Sequence, residues 1–172
     1  MYYFFLLFLT HHANAVSDLK ECNSVCSQGW TPFPGTGRCY KYHSERKKWH
    51  DARSVCQSVS AGTGELASIS DKETNDFLKS LPSVVGDTWV GGTDSVDHGA
   101  HGSSDGNWKW SDGTVWGYEA WGAGQPSDRD SSQDYLAFNA GKWDDLGYGD
   151  VLPFFCQYDA YIQRLDYKLF RY

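Results

Sequence analysis

Several things are scarce in this 172-residue sequence, and each scarcity excludes a class of protein. No apolar run approaches the roughly 20 residues a membrane-spanning helix needs; the longest, Tyr2 to Leu9, falls well short. Catalytic signatures are missing too: there is no Gly-x-Ser-x-Gly elbow, no His-Glu-x-x-His helix and no phosphate-cradling glycine loop. His43 and His50 flank a helical segment, but no motif sets a nucleophile beside them, so no enzymatic activity is expected. Positive charge is short, with 15 Lys and Arg against 22 Asp and Glu, a net charge of −7. That balance repels nucleic acid and anionic membrane surfaces and favours cations. Zinc is excluded by spacing, because Cys22 and Cys26 have no matching downstream pair or histidine cluster.

What is abundant is aromatic and turn-forming. Eight Trp, eleven Tyr and eighteen Gly point to a loop-rich mixed or β fold rather than a helical bundle, and the length suits one domain with a sizeable core. The apolar run at the start is followed by Ala13-Asn14-Ala15, the small-x-small form of a signal-peptidase site, so residues 1–15 are expected to be a signal peptide and the protein to be secreted. An oxidising compartment lets cysteines pair. Five remain after cleavage, an odd number, which suggests two bridges and one thiol that is free or joined to another chain.

Prolines and glycines between Cys26 and Cys39 mark turns, and a local Cys26–Cys39 bridge would close that hairpin. Ser44 is placed to cap a helix reaching about Val59, with Trp49, Ala52, Cys56 and Val59 on one face. Leu66 to Ile69 reads as a short strand, and Ser70-Asp-Lys-Glu73 as a capping box opening a second helix that Pro82 closes. Thr88-Trp-Val-Gly-Gly92 reads as a buried strand whose glycines admit another backbone. Residues 95–104 form a Gly/Ser/His-rich insertion, expected to be exposed. Trp108-Lys-Trp110 alternates like a strand and turns at Ser111-Asp-Gly113, while Tyr135 to Asn139, Trp143-Asp-Asp145 and Pro153 to Gln157 supply three more extended pieces. The polar and aromatic tail after Asp159 has no assignment.

The densest chemistry lies in Trp121 to Asp145. Gln125, Ser127 and Gln133 offer neutral oxygens; Asp128, Asp130 and Asp134 offer charged ones; Pro126 stiffens the loop. Oxygen donors without His or Cys favour calcium over zinc or copper.

Taken in order, Cys26-x-x-Gly-Trp30, Cys39-Tyr40, the Trp49 helix ending in Cys56, Leu66-Ala-Ser-Ile69, Trp89-Val-Gly-Gly92, Trp108-x-Trp110-Ser-Asp-Gly113, Gln125-Pro-Ser127, Trp143-Asp-Asp145 and Pro153-Phe-Phe-Cys156 resemble the C-type lectin-like domain family over residues 26–158. The resemblance implies an α+β fold, two helices packed on small antiparallel sheets, with a long irregular loop region carrying a calcium and ligand site. It leaves residues 16–25 as an N-terminal extension and 159–172 as a C-terminal tail. It implies bridges Cys26–Cys39 and Cys56–Cys156, which leaves Cys22 over for a homodimer. A second inner bridge of the family would join the position of Tyr135 to one near Gly147 or Tyr148, and both cysteines are absent here.

For the site, the resemblance implies Ca²⁺ held by Gln125, Ser127, Gln133, Asp144 and Asp145, with the same five residues binding carbohydrate, and an auxiliary Ca²⁺ at Asp94, Asp105, Asp128 and Asp134. Glu and Asn around the proline go with mannose in this family and Gln and Asp with galactose; Gln125-Pro-Ser127 matches the galactose form at its first residue and neither at its third. The implied function is a secreted, calcium-dependent lectin leaning to galactose. The rival is a module of the same fold that binds protein, mineral or ice without recognising sugar. Trp116 or Trp121 is a candidate for stacking on a sugar face, although both also suit the core.

Overall fold

The computed structural model describes residues 23–81, 84–95, 104–129 and 132–163. In chain order these form β1 (Asn23–Val25), β2 (Thr31–Phe33), β3 (Arg38–Lys47), α1 (Trp49–Gln57), β4 (Glu65–Leu66), α2 (Lys72–Ser80), β5 (Thr88–Ser95), β6 (Ser104–Trp110), β7 (Tyr135–Asn139), β8 (Lys142–Leu146), β9 (Leu152–Asp159) and β10 (Tyr161–Gln163). The fold is α+β, as expected: two helices, a mixed sheet and two disulfides.

One sheet runs β2-β3-β9-β5-β7-β8, with β4 paired to β9 and β6 to β5. The buried strand β9 owes its place to its sequence, since LPFFCQYD offers apolar side chains to both faces and every residue but the last is buried. Strand β5 runs parallel to β9 at Trp89↔Phe154 and antiparallel to β6 and β7. Its Gly91 meets the neighbouring backbone directly: a Cβ there would lie 3.0 Å from the Leu66 carbonyl oxygen and 2.9 Å from Ser111 Oγ. The close approach expected of that glycine is therefore present.

The implied disulfides form, Cys26–Cys39 with Cα atoms 5.7 Å apart and Cys56–Cys156 with Cα atoms 5.2 Å apart. The second pins α1 to β9 and the first ties the start of the domain to β3. In the tail, β10 pairs with β1, so the segments just before and just after the domain meet in a two-stranded ladder.

Four local expectations need correction. Ser44 caps no helix; it lies inside β3, just past the His43–Phe154 pair, where the register to β9 shifts before resuming at Lys47–Leu152. Helix α1 starts at Trp49 behind Lys48, which makes no side-chain cap bond, and ends at Gln57, short of Val59; its buried face is Trp49, Ala52 and Cys56. The cap of α2 is Asp71 rather than Ser70. Asp71 Oδ1 accepts the Thr74 N–H at 2.7 Å, and the Ser70 hydroxyl donates to the other carboxylate oxygen at 3.1 Å. The strand expected over Leu66 to Ile69 shortens to Glu65–Leu66, because Gly91 takes the Ala67 carbonyl and Gln157 Oε1 takes the Ser68 N–H. Pro82, Cys22, Asp130 and the insertion between Ser95 and Ser104 lie outside the described residues.

Candidate functional site

The site sits where β7 and β8 leave the sheet. These strands form a hairpin, with Leu136 opposite Asp145 and Ala137 opposite Asp144, closed at Ala140-Gly141 by two residues with positive φ. A parallel bridge from Trp121 to Trp143 brings the preceding loop alongside β8, and the Gly122 N–H donates to the Trp143 carbonyl at 2.8 Å. Gln125 and Pro126, joined by a cis peptide, thus lie beside the two aspartates although 18 or more residues separate them in sequence.

Strand alternation sends the paired aspartates to different surroundings. Asp145 is fully buried, and its two carboxylate oxygens accept the N–H groups of Ser127 (2.7 Å) and Asp128. The Asp145 carbonyl accepts from Gln133 Nε2 at 2.6 Å, and Gln133 Oε1 accepts from the Ser127 hydroxyl at 3.0 Å and the Arg129 N–H at 2.6 Å. Ser127, Gln133 and Asp145 are therefore brought together by direct hydrogen bonds.

Asp144 lies apart from this circuit. With Asp87, Gly122, Gln125, Asn139 and Lys142 it lines a hollow of about 240 Å³. Burial first, then the adjacent Asp145 carboxylate, raises its carboxyl above the usual range. Asp144 Oδ1 and Gln125 Oε1 are both buried and have no hydrogen-bond partner among the described residues. A buried polar oxygen without a donor is costly, by about 1–3 kcal/mol, and two in one place form an environment suited to a cation. Gln125 also lines the larger cavity of about 560 Å³, together with Trp108, Glu119, Trp121, Pro126, Gln133 and Asp145. It is the residue shared by the two hollows.

Three members of the expected auxiliary set, Asp94, Asp128 and Asp134, influence one another electrostatically. Asp94 and Asp134 are buried, and Asp94 and Asp128 line the larger cavity. Asp134 is pushed up to about 6, by burial first and then by the charges of Asp94 and Asp128, so the three carboxylates feel one another. Oδ1 of Asp128 and Oδ1 of Asp134 have no hydrogen-bond partner among the described residues. The side chain of Asp105 lies outside the described residues.

Among the described residues no three His, Cys, Asp or Glu side chains converge closely enough to hold a metal ion. The predicted five-residue set has only two carboxylates, its other donors being amide and hydroxyl oxygens. Its fit to calcium differs by residue. Gln125 and Asp144 present unsatisfied oxygens, whereas Ser127, Gln133 and Asp145 hold theirs in internal hydrogen bonds that a cation would have to replace.

Trp121 lines the larger cavity, and so does Trp108, which was not singled out as a ligand residue; their ring centroids are 4.9 Å apart. Trp116 instead packs against Trp110 at 4.8 Å and Trp143 at 5.6 Å, with its indole N–H donating to Glu119 at 2.9 Å. Alternation along Trp108-Lys-Trp110 puts both indoles on one face, the signal by which Trp108 was available from sequence. Asp87, whose carboxylate accepts from Asn139 Nδ2 at 2.8 Å, is another lining residue that sequence reasoning missed. No pattern near Asp87 announces it.

Comparison with known proteins agrees with this architecture. Residues 45–158 match the family described as the lectin C-type domain. A protein described as a lectin, from Pleurodeles waltl, is 32% identical over 146 residues, covering 81% of this chain and 79% of its own length. The galactose-specific lectin nattectin from Thalassophryne nattereri is 33% identical over 111 residues, 62% of each chain. Among solved structures, the cow C-type carbohydrate-recognition domain of CD23, determined in the presence of a GlcNAc2Man3 oligosaccharide, superposes with a TM-score of 0.69 at 27% identity, over 81% of this chain and 99% of that one. The chain belongs to the C-type lectin domain family, a non-enzymatic family.

Proposed function

We propose that this protein is a secreted, calcium-dependent carbohydrate-binding lectin with a preference for galactose-type ligands. The observation that carries the reading is the pair of buried, unpartnered oxygens, Gln125 Oε1 and Asp144 Oδ1, beside the Ser127–Gln133–Asp145 circuit. These are the five residues that the family resemblance assigns to one calcium. When bound, calcium supplies open coordination positions for two vicinal sugar hydroxyls. The chain's own groups supply the rest: carboxylates accept from sugar hydroxyls, amide nitrogens donate to sugar oxygens, and the Trp108 and Trp121 rings offer apolar walls.

Galactose is favoured on two grounds, Gln125 at the first position of the proline motif and the galactose-specific description of the nattectin relative. With only two carboxylates in the set, calcium affinity belongs at the weak extracellular end, about 10⁻⁴–10⁻³ M. The auxiliary carboxylates Asp94, Asp128 and Asp134, with Asp105, form the second proposed calcium position. Secretion follows from the expected cleavage after Ala15 and is supported by two disulfides; among the described residues no helix is long and apolar enough to cross a membrane. Cys22 is proposed to join two chains and so to present two sites at once.

The rival reading, binding of protein, mineral or ice without sugar, also has an observation behind it: the Ser127–Gln133–Asp145 circuit satisfies itself without a metal. Calcium titration tests the metal site that the lectin reading requires. Millimolar calcium should raise the melting temperature of the wild-type protein and do so less in Gln125→Ala and Asp144→Ala, whereas equal shifts in all three would remove these residues from the metal site.

A further inference from the structure

The first turn of α1 bears directly on the roots of the ligand loop. Trp49 Nε1 donates to the Val90 carbonyl at 2.8 Å, which fixes the helix start on β5. The next residue, His50, is thereby held in place, and its Nε2 lies 2.9 Å from the hydroxyl of fully buried Tyr135 in a hydrogen bond whose donor depends on the imidazole tautomer. The same imidazole packs edge-on to the Tyr135 ring at 5.2 Å and against Tyr148 at 5.7 Å. Lys48 covers the Tyr148 ring, with Nζ 4.7 Å from its centroid.

Tyr135 and Tyr148 stand on the two arms of the site-bearing hairpin, both at its open end. Tyr135 opens β7, immediately after Gln133 and Asp134, and is in register with Leu146. Tyr148 follows β8, three residues after Asp145. One imidazole thus touches both strands at the end where the proposed ligands emerge, and the ligands are themselves joined across it by Gln133 Nε2 donating to the Asp145 carbonyl.

We infer that His50 is a positioning residue for the binding site: through Tyr135 and Tyr148 it holds the roots of the loop so that Gln133 and Asp145 stay in mutual register. Its hydrogen bond to Tyr135 and its ring contacts with Tyr135 and Tyr148 reach the residues that flank the proposed ligands. Its effect is transmitted by the two tyrosines. The inference rests on the carbohydrate-binding reading for its affinity consequence and on geometry alone for its effect on the backbone.

The test compares wild type, His50→Ala, His50→Gln and Tyr148→Leu in the full secreted chain, by amide hydrogen exchange and by lactose binding in millimolar calcium. His50→Ala is expected to speed exchange at Gln133–Tyr135 and Asp145–Tyr148 by tenfold or more, to leave β3 and β9 protected, and to weaken lactose binding at least fivefold. His50→Gln, whose amide can still bond the Tyr135 hydroxyl, should restore both to within about twofold. Tyr148→Leu, the milder change, should loosen Asp145–Tyr148 alone. Exchange that is unchanged in both the His50→Ala and Tyr148→Leu variants, or that rises uniformly through β3 and β9, would overturn the inference. Wild type that binds no lactose while His50→Ala shows the local loosening supports the positioning role and rejects the sugar. Wild type that binds lactose as tightly as His50→Ala does rejects the positioning role and keeps the sugar.

Discussion

Asp145 Oδ1 accepts the main-chain N–H of Ser127 at 2.7 Å, clamping the loop after Pro126 onto β8 through one buried carboxylate. Its second oxygen accepts the neighbouring N–H of Asp128. Asp145 is thus a structural anchor of this loop. Asp145→Ala strands two donors and should cost about 2–4 kcal/mol in urea denaturation. Asp145→Asn keeps one acceptor oxygen and should cost less; equal losses in the two variants would show that the N–H contacts contribute little.

Asp134 gives the site a pH dependence whose sign can be worked out. Its carboxyl, ordinarily near 3.8, is pushed up to about 6 in the folded protein, so the folded state binds the extra proton between these values. Stability from this group is therefore greatest below about pH 4 and is lost as the pH rises through 6. In chelator, Asp134→Asn should raise the melting temperature at pH 7.5 and change it little at pH 4.5. With calcium present the same substitution should weaken metal binding at pH 7.5. A variant that is destabilised at pH 7.5 in chelator would contradict the crowding of Asp134 by Asp94 and Asp128.

The two disulfides differ in the loops they close, 100 residues for Cys56–Cys156 and 13 for Cys26–Cys39. Chain entropy makes them worth about 4.7 and about 3 kcal/mol respectively. Replacing Cys56 and Cys156 by Ala should therefore lower the denaturation midpoint more than replacing Cys26 and Cys39. The reverse order would show that native-state contacts, and not loop closure, dominate.

Specificity should follow the proline motif. The double substitution Gln125→Glu with Ser127→Asn makes the mannose form of the motif, and mannoside binding should rise at least tenfold relative to galactoside. A ratio that does not move would place sugar choice elsewhere, with Trp108, Trp121 and Glu119 the next residues to change.

Much of this architecture was legible because it is written in short, ordered signals. The bridges Cys26–Cys39 and Cys56–Cys156 that the family resemblance implies, the closing strand at Pro153 to Gln157 and the close backbone approach at Gly91 are all met in the structure. Ser44 and Ser70 misled because serine suits a cap wherever it falls. Whether it caps depends on its surroundings: Ser44 falls within the long strand β3, and Asp71, one residue after Ser70, supplies the oxygen that Thr74 uses. The wiring of the proposed site was not legible in the sequence. Alternation separates Asp144 from Asp145, but only the fold shows Asp145 held by amides while Asp144 faces Gln125 and Asp87. His50 was invisible as a positioning group, since its partners Tyr135 and Tyr148 lie 85 and 98 residues away.

The most direct measurement is binding of the purified protein to a glycan array, in millimolar calcium and in chelator, beside Gln125→Ala. Galactose-terminated glycans bound only with calcium, and lost in the variant, are the expected result. Glycans bound equally in chelator, or no glycan bound although calcium still raises the melting temperature, would contradict calcium-dependent sugar recognition at this site.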